Sequence, residues 1–160
     1  MTAVEKITPA DWMGAADTRA LFDAITAGGG SVRFVGGCVR DAILGRPVSD
    51  IDLATDVEPA RVIELLGARK IRAVPTGLDH GTITAIPEHR PFEITTLRQD
   101  VETDGRRAAV QFTHDWSVDA GRRDFTMNAL SADPDGTVYD YAGGLPDLRA
   151  GRVRFIGDAA

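Results

Sequence analysis

Helical and strand periodicities alternate through the first 67 residues and give way to clustered strands after residue 70, an order that leaves few architectures open. "PADWMGAADTRALFDAITAGGG" (9–30) places Leu21 and Ile25, and Ala20 and Ala24, at the four-residue spacing of a helix that Gly28 to Gly30 end. "VRFV" (32–35) reads as a short strand running into Gly36-Gly37, and "CVRDAILG" (38–45) as a helix with Val39 and Ile43 on one face and Gly45 as its stop. "DIDLAT" (50–55) is a second strand, and "EPARVIELLG" (58–67) a helix with Pro59 near its first turn and Gly67 past its end. Strands follow at 70–74, 81–86 and 91–97. The polar stretch 98–115 has no clear period and reads as a long functional or mobile loop. A helix over 117–131, with Val118, Arg122, Phe125 and Ala129 along one stripe, an Asp-Gly turn at 135–136 leading into a strand, and a last strand at 152–156 complete the pattern. The order predicts an α/β or α+β sheet with helices mainly on one face.

At 160 residues the chain is long enough for one domain with a proper core. Its 43% hydrophobic and 26% charged residues are globular proportions. No apolar run approaches a membrane span, and the N-terminus lacks the apolar stretch of a signal peptide, so the expectation is a cytoplasmic protein without a membrane partner. Cys38 is the single cysteine and has no disulfide partner within the chain. A net charge of −6 argues against coating nucleic acid by bulk charge. The basic residues are nevertheless almost all arginine, with Lys6 and Lys70 the two lysines, and arginine offers planar, bidentate donors to phosphate.

Three stretches carry chemistry. In "FVGGCVRD" a strand passes through two glycines into a helix, which brings backbone N–H groups close to an anion and puts Arg40 within reach of a phosphate. The spacing is neither G-x-G-x-x-G nor a P-loop, and a tight turn alone would also account for the glycines. Asp50 and Asp52, two apart on a strand, share one face and suit a hard cation such as Mg²⁺. Taken alone, they fit a solvated edge strand better than a metal site. Glu93 in "PFEITTL" becomes a third acid if its strand neighbours the first, and is otherwise an acid on a polar face. In "RRDFTMNA", Asp124 and Asn128 share a helical face, Arg123 can turn toward a phosphate and Asp124 toward a ribose hydroxyl, while Asp119 and Arg123 have the spacing of an ordinary solvated ion pair. His89 and His114 lack zinc-ligand spacing.

In order, "VGGCVRDAILGRPVSDIDLAT", "GLDHGTITA", "FEITTLRQDVETDGRRAAVQFT", "DWSVDAGRRDFTMNALS" and "DYAGGLPDLRAGRVRFIGD" resemble the catalytic head of class II tRNA nucleotidyltransferases and bacterial poly(A) polymerases, within the polymerase-β-like nucleotidyltransferase superfamily. The resemblance implies an α+β palm: a small, mostly antiparallel sheet with helices packed on one face. It implies a segment 1–30 leading into a head over 31–157. It further implies that Asp50 and Asp52 hold two Mg²⁺ ions, that Gly36, Gly37 and Arg40 cradle a triphosphate, and that Arg123 and Asp124 contact the nucleotide. Glu93 would be a further carboxylate near the metals. The implied partners are the tRNA 3′ end, CTP and ATP. The implied reaction is template-independent addition of CMP and AMP, with ATP-only tailing or nucleotide binding without catalysis as the alternatives. The stretch 98–112 corresponds to the family's flexible loop. The E-D-x-x-R-type block of the helical neck has no match within the 160 residues, so the expectation is a head without neck, body or tail.

Overall fold

The structure, a computed structural model, describes residues 3–103 and 107–156. Eight strands form one sheet in the order β1-β10-β9-β2-β3-β6-β5-β4, where β1 is Ala3–Lys6, β2 Val32–Val35, β3 Ile51–Thr55, β4 Arg72–Gly77, β5 Thr82–Ile86, β6 Phe92–Thr96, β9 Leu130–Ala132 and β10 Thr137–Asp140. Every neighbouring pair is antiparallel except β3 and β6, which run parallel with Asp52 opposite Glu93. The expected mixed architecture with a mostly antiparallel sheet is what the chain adopts.

Strand alternation sorts the two faces of the sheet. Phe34, Ile51, Leu53, Phe92 and Ile94 face the main core, packed with Met13, the α1 residues (Ala16–Thr26) Leu21 and Ile25, the α2 residue (Gly37–Ile43) Val39, and the α3 residues (Pro59–Ala68) Val62 and Leu66. On the opposite face, Val35, Ala54 and Leu97 form a small second cluster against Trp116, the first residue of the short helix α4 (Trp116–Gly121). Asp52 faces Val35 across the β2–β3 pair and therefore lies on this thinly covered side. Most helices bury one face; on the other, Arg33, Asp52 and Glu93 stay within reach of solvent. Among the described residues no helix is long and apolar enough to cross a membrane.

Four local expectations need correction. Residues 98–115 are not an open loop: Arg98–Thr103 (β7) and Arg107–Phe112 (β8) pair as an antiparallel hairpin that stands apart from the main sheet, with residues 104–106 outside the described set. The helix over 117–131 ends at Gly121; a 3-10 turn follows at Thr126–Asn128, and Leu130 already belongs to β9. The carboxylate of Asp124 accepts from the Phe125 N–H at 2.8 Å, a local bond that competes with helix, and pairing of β9 with β10 and β2 takes the rest. The strand expected at 152–156 is reduced to one bridge between Phe125 and Phe155. Gly67 lies inside α3, and the stop is Lys70 at φ 58°, with the Lys70 and Ile71 N–H groups donating to the Gly67 and Leu66 carbonyls.

Candidate active site

Gly36 ends β2 at φ 74°, a left-handed backbone conformation that suits glycine and turns the chain into α2. A Cβ on Gly37 would approach Arg40 Nη2 to 3.2 Å, so the glycine pair leaves room for the arginine to lie back over the turn. Arg40 is fixed from two sides: Nε donates to Asp41 Oδ1 at 3.1 Å and Nη1 to Asn128 Oδ1 at 3.2 Å. Asn128 Nδ2 in turn donates to Asp124 Oδ1 at 3.4 Å. The 3-10 turn carrying Asn128 is pinned by Asp147 of α5 (Gly144–Arg149), whose Oδ2 accepts from the Thr126 hydroxyl at 2.5 Å. Gly144 packs so closely under Thr126 that a Cβ there would sit 2.2 Å from the Thr126 carbonyl oxygen.

These elements line a cleft formed by Gly36, Gly37, Arg40, Asp52, Arg122, Arg123, Asp124 and Asn128. A second cleft is formed by Asp50, Ile51, Asp52, Thr84, Pro91 and Glu93. Asp52 belongs to both. One wall is rich in guanidinium groups, the other in carboxylates, and the residue between them is an aspartate. Burial, then the nearby carboxylates of Glu93 and Asp50, push the Asp52 carboxyl above its ordinary range, and the Arg123 guanidinium pulls it partway back. Beneath it, the Cys38 thiol is buried, donates to the Val35 carbonyl at 3.2 Å, and is pushed up to about 11, chiefly by burial.

Every residue that the sequence offered for metal or nucleotide binding thus lies in one of two clefts that share Asp52. Glu93 meets its condition, since β6 is the neighbour of β3 and the register sets it opposite Asp52. Asp50 stands just before β3 and is exposed, at the mouth of the acidic cleft. Two lining residues were not singled out as binding groups, Arg122 and Asn128. Asn128 carried a signal, its four-residue spacing from Asp124, but Arg122 had nothing beyond adjacency to Arg123. Asp119 departs most from its reading. It is 3% exposed and accepts from both arginines, so it is no solvated partner.

This fold and these paired clefts mark a nucleotidyltransferase head, and the chain belongs to the family described as the Poly A polymerase head domain, whose model matches residues 32–154. Among relatives, it is 48% identical over 129 residues to the human protein named CCA tRNA nucleotidyltransferase 1, mitochondrial, covering 80% of this chain and 30% of that one. It is 38% identical over 143 residues to the CCA-adding enzyme of Bacillus cytotoxicus, covering 88% of this chain and 35% of the relative. Among solved structures, the CCA-adding enzyme of Bacillus stearothermophilus in complex with CTP superposes with a TM-score of 0.77 at 32% identity, over 91% of this chain and 35% of that one. The Thermotoga maritima CCA-adding enzyme complexed with tRNA gives 0.64 at 25% identity, over 87% of this chain and 32% of that one. The chain therefore spans about a third of the length of the curated relatives it matches.

Proposed function

We propose that the chain is the catalytic head, residues 31–157 with 1–30 leading into it, of a cytoplasmic enzyme that adds CMP and AMP from CTP and ATP to the 3′ end of tRNA and releases pyrophosphate. The observation that carries this reading is Asp52 standing between a carboxylate wall and an arginine wall. Transfer to a hydroxyl needs both: cation-holding oxygens at the reacting phosphorus and donors along the departing phosphates. The names of the relatives favour tRNA over ATP-only tailing.

The donor set fits a divalent cation. Asp50, Asp52 and Glu93 crowd like charges together, and Asp52 responds with a raised affinity for its proton. Paired carboxylates suit Mg²⁺, which takes one or two of them and leaves its other positions to water and substrate phosphates. Asp50 and Asp52 would hold two such ions, with Glu93 beside them. When bound, the ions supply charge neutralisation at the phosphates and an activated nucleophile.

The chain's own side chains do the rest. The Gly36-Gly37 turn and Arg40 hold the triphosphate, with Arg123 over the opposite side and Asp124 placed to accept from a ribose 2′-hydroxyl. The tRNA 3′-oxygen then attacks the α-phosphorus in line, its proton passes to water, and the bond to pyrophosphate breaks.

The test is incubation with labelled CTP and ATP and a tRNA acceptor minihelix lacking CCA. Weak incorporation with poor base choice is expected, lost in Asp50→Ala and Asp52→Ala. Incorporation that survives both substitutions would sink the metal assignment. Magnesium-dependent nucleotide binding without any incorporation would indicate a binding module instead. For a full-length parent, stepwise C, C and A addition is expected, rather than tails made from ATP alone.

A further inference from the structure

The base of the β7–β8 hairpin and the arginine wall of the cleft meet at one carboxylate. Asp119 Oδ1 accepts from Arg122 Nε at 3.2 Å and from the backbone N–H of Arg98 at 3.1 Å, and Oδ2 accepts from Arg123 Nη2 at 3.2 Å. Arg122 and Arg123 line the basic cleft. Arg98 is the first residue of the hairpin. Both hairpin ends are seated close by: Arg98 Nη1 donates to the His80 carbonyl at 2.7 Å, and the Thr113 N–H donates to the Leu97 carbonyl at 2.9 Å. Phe112 lies against Gly81, where a Cβ would come within 2.6 Å of its ring.

We infer that Asp119 is a positioning residue that couples occupancy of the cleft to the seating of the 98–112 hairpin. The inference rests on the reading of that cleft as a triphosphate site. One carboxylate is shared by two guanidinium groups that both line the cleft, so either can also turn to an anion there. Asp119 is 3% exposed, so water does not replace a partner that moves away. An anion drawing Arg122 and Arg123 toward the cleft must reorient the carboxylate, and the same oxygen that serves Arg122 also holds the hairpin at Arg98. Coupling of this kind is reciprocal: displacing the hairpin must weaken the hold on the anion by the same factor.

The test measures CTP affinity in the presence of Mg²⁺, and backbone amide exchange with and without CTP, on this chain and on Asp119→Asn. CTP is expected to slow exchange at the Arg98 amide in the parent. In Asp119→Asn that amide exchanges faster without nucleotide, CTP no longer slows it, and affinity falls about tenfold. Asp17→Asn, which breaks another buried carboxylate–arginine pair, with Arg90, serves as control: stability falls while affinity and hairpin protection stay. If Asp119→Asn does not fold, Asp119→Glu keeps the charge but moves it by one methylene, and the same losses are expected. Parent-like affinity and protection in the Asp119 variants overturn the inference, as does CTP binding that leaves Arg98 exchange unchanged in the parent. A parent that binds no CTP overturns the triphosphate reading instead. The anchor is then read from nucleotide-free exchange alone, faster Arg98 exchange in the variant supporting it and unchanged exchange overturning it.

Discussion

Asp52 and Asp140 are aspartates on strands of the same sheet, and neither is fully open to solvent, yet they are opposites. Asp140 is 2% exposed, and its two oxygens accept four backbone N–H groups, those of Ala142, Gly143 and Gly144 at 3.2, 2.9 and 2.8 Å and that of Leu145 at 3.0 Å. It gathers the backbone at the start of α5, the helix that holds Thr126 beneath the site. The Asp52 side chain has no hydrogen bond or ion pair among the described residues and has acids as neighbours. Asp140 is buried and satisfied; Asp52 is half-buried and is not. One carboxylate stabilises structure, and the other is the one proposed to hold charge in reserve for a cation.

Four measurements on three substitutions break or sharpen this contrast. The largest effect is expected at the reserve charge: Asp52→Asn should cut nucleotide incorporation by about three orders of magnitude, since cation-held charge stabilisation contributes several kcal/mol to such transfers. Retained activity in single-turnover assays would place the chemistry elsewhere. Next, Asp140→Ala should lower the unfolding free energy by about 2–4 kcal/mol, because it leaves buried backbone donors without acceptors; urea denaturation reads this directly. If Asp140→Ala were neutral, the distinction between the two carboxylates would collapse.

The third is a stability measurement on Asp52→Asn without divalent ions. Because the folded-state pKa of Asp52 is raised, the stability contributed by that group is fully present below the unfolded value of about 3.8 and is lost as pH rises through the folded value. The variant escapes that loss. Its thermal midpoint should match wild type near pH 3 and exceed it by about 1–3 °C at pH 7. Added Mg²⁺ should close the gap by stabilising wild type alone. The smallest effect concerns strain rather than charge: Lys70→Gly should stabilise by about 0.5–1 kcal/mol by relieving the left-handed backbone at the end of α3. Chemical denaturation would show it as a shifted midpoint at unchanged slope.

What could be read from the sequence was local. The strand–glycine–glycine–helix–strand run from Val32 to Thr55 announced itself because periodicity, a positive-φ glycine and a short apolar strand all lie within a few residues of one another. The two-residue spacing of Asp50 and Asp52 was plain, and both line the acidic cleft, although Asp50 falls just before β3 and not on its pleat. The parallel pairing of β3 with β6 depends on α3 and two intervening strands, so Glu93 could only be named conditionally. The hairpin at 98–112 forms a two-stranded sheet of its own beside the main one, and its pairing was not legible as a hydrophobic period. The segment 117–131 combines a helix, a 3-10 turn and part of a strand, and residue spacing alone could not divide it. Asp119 shows the limit most sharply. Its spacing to Arg123 was visible, but its burial and its bond to Arg98 come from the packing of distant segments.

The buried thiol of Cys38 has a practical corollary. It is the chain's one cysteine, it lies beneath the backbone of the β2–α2 turn, and at a pKa of about 11 it is scarcely ionised at neutral pH. Alkylating dyes and spin labels react with thiolate, so they should pass it by. The native sequence therefore serves as an optically and magnetically silent background. A lone cysteine placed on an exposed position such as Gln111 would then report hairpin movement without any prior removal of thiols.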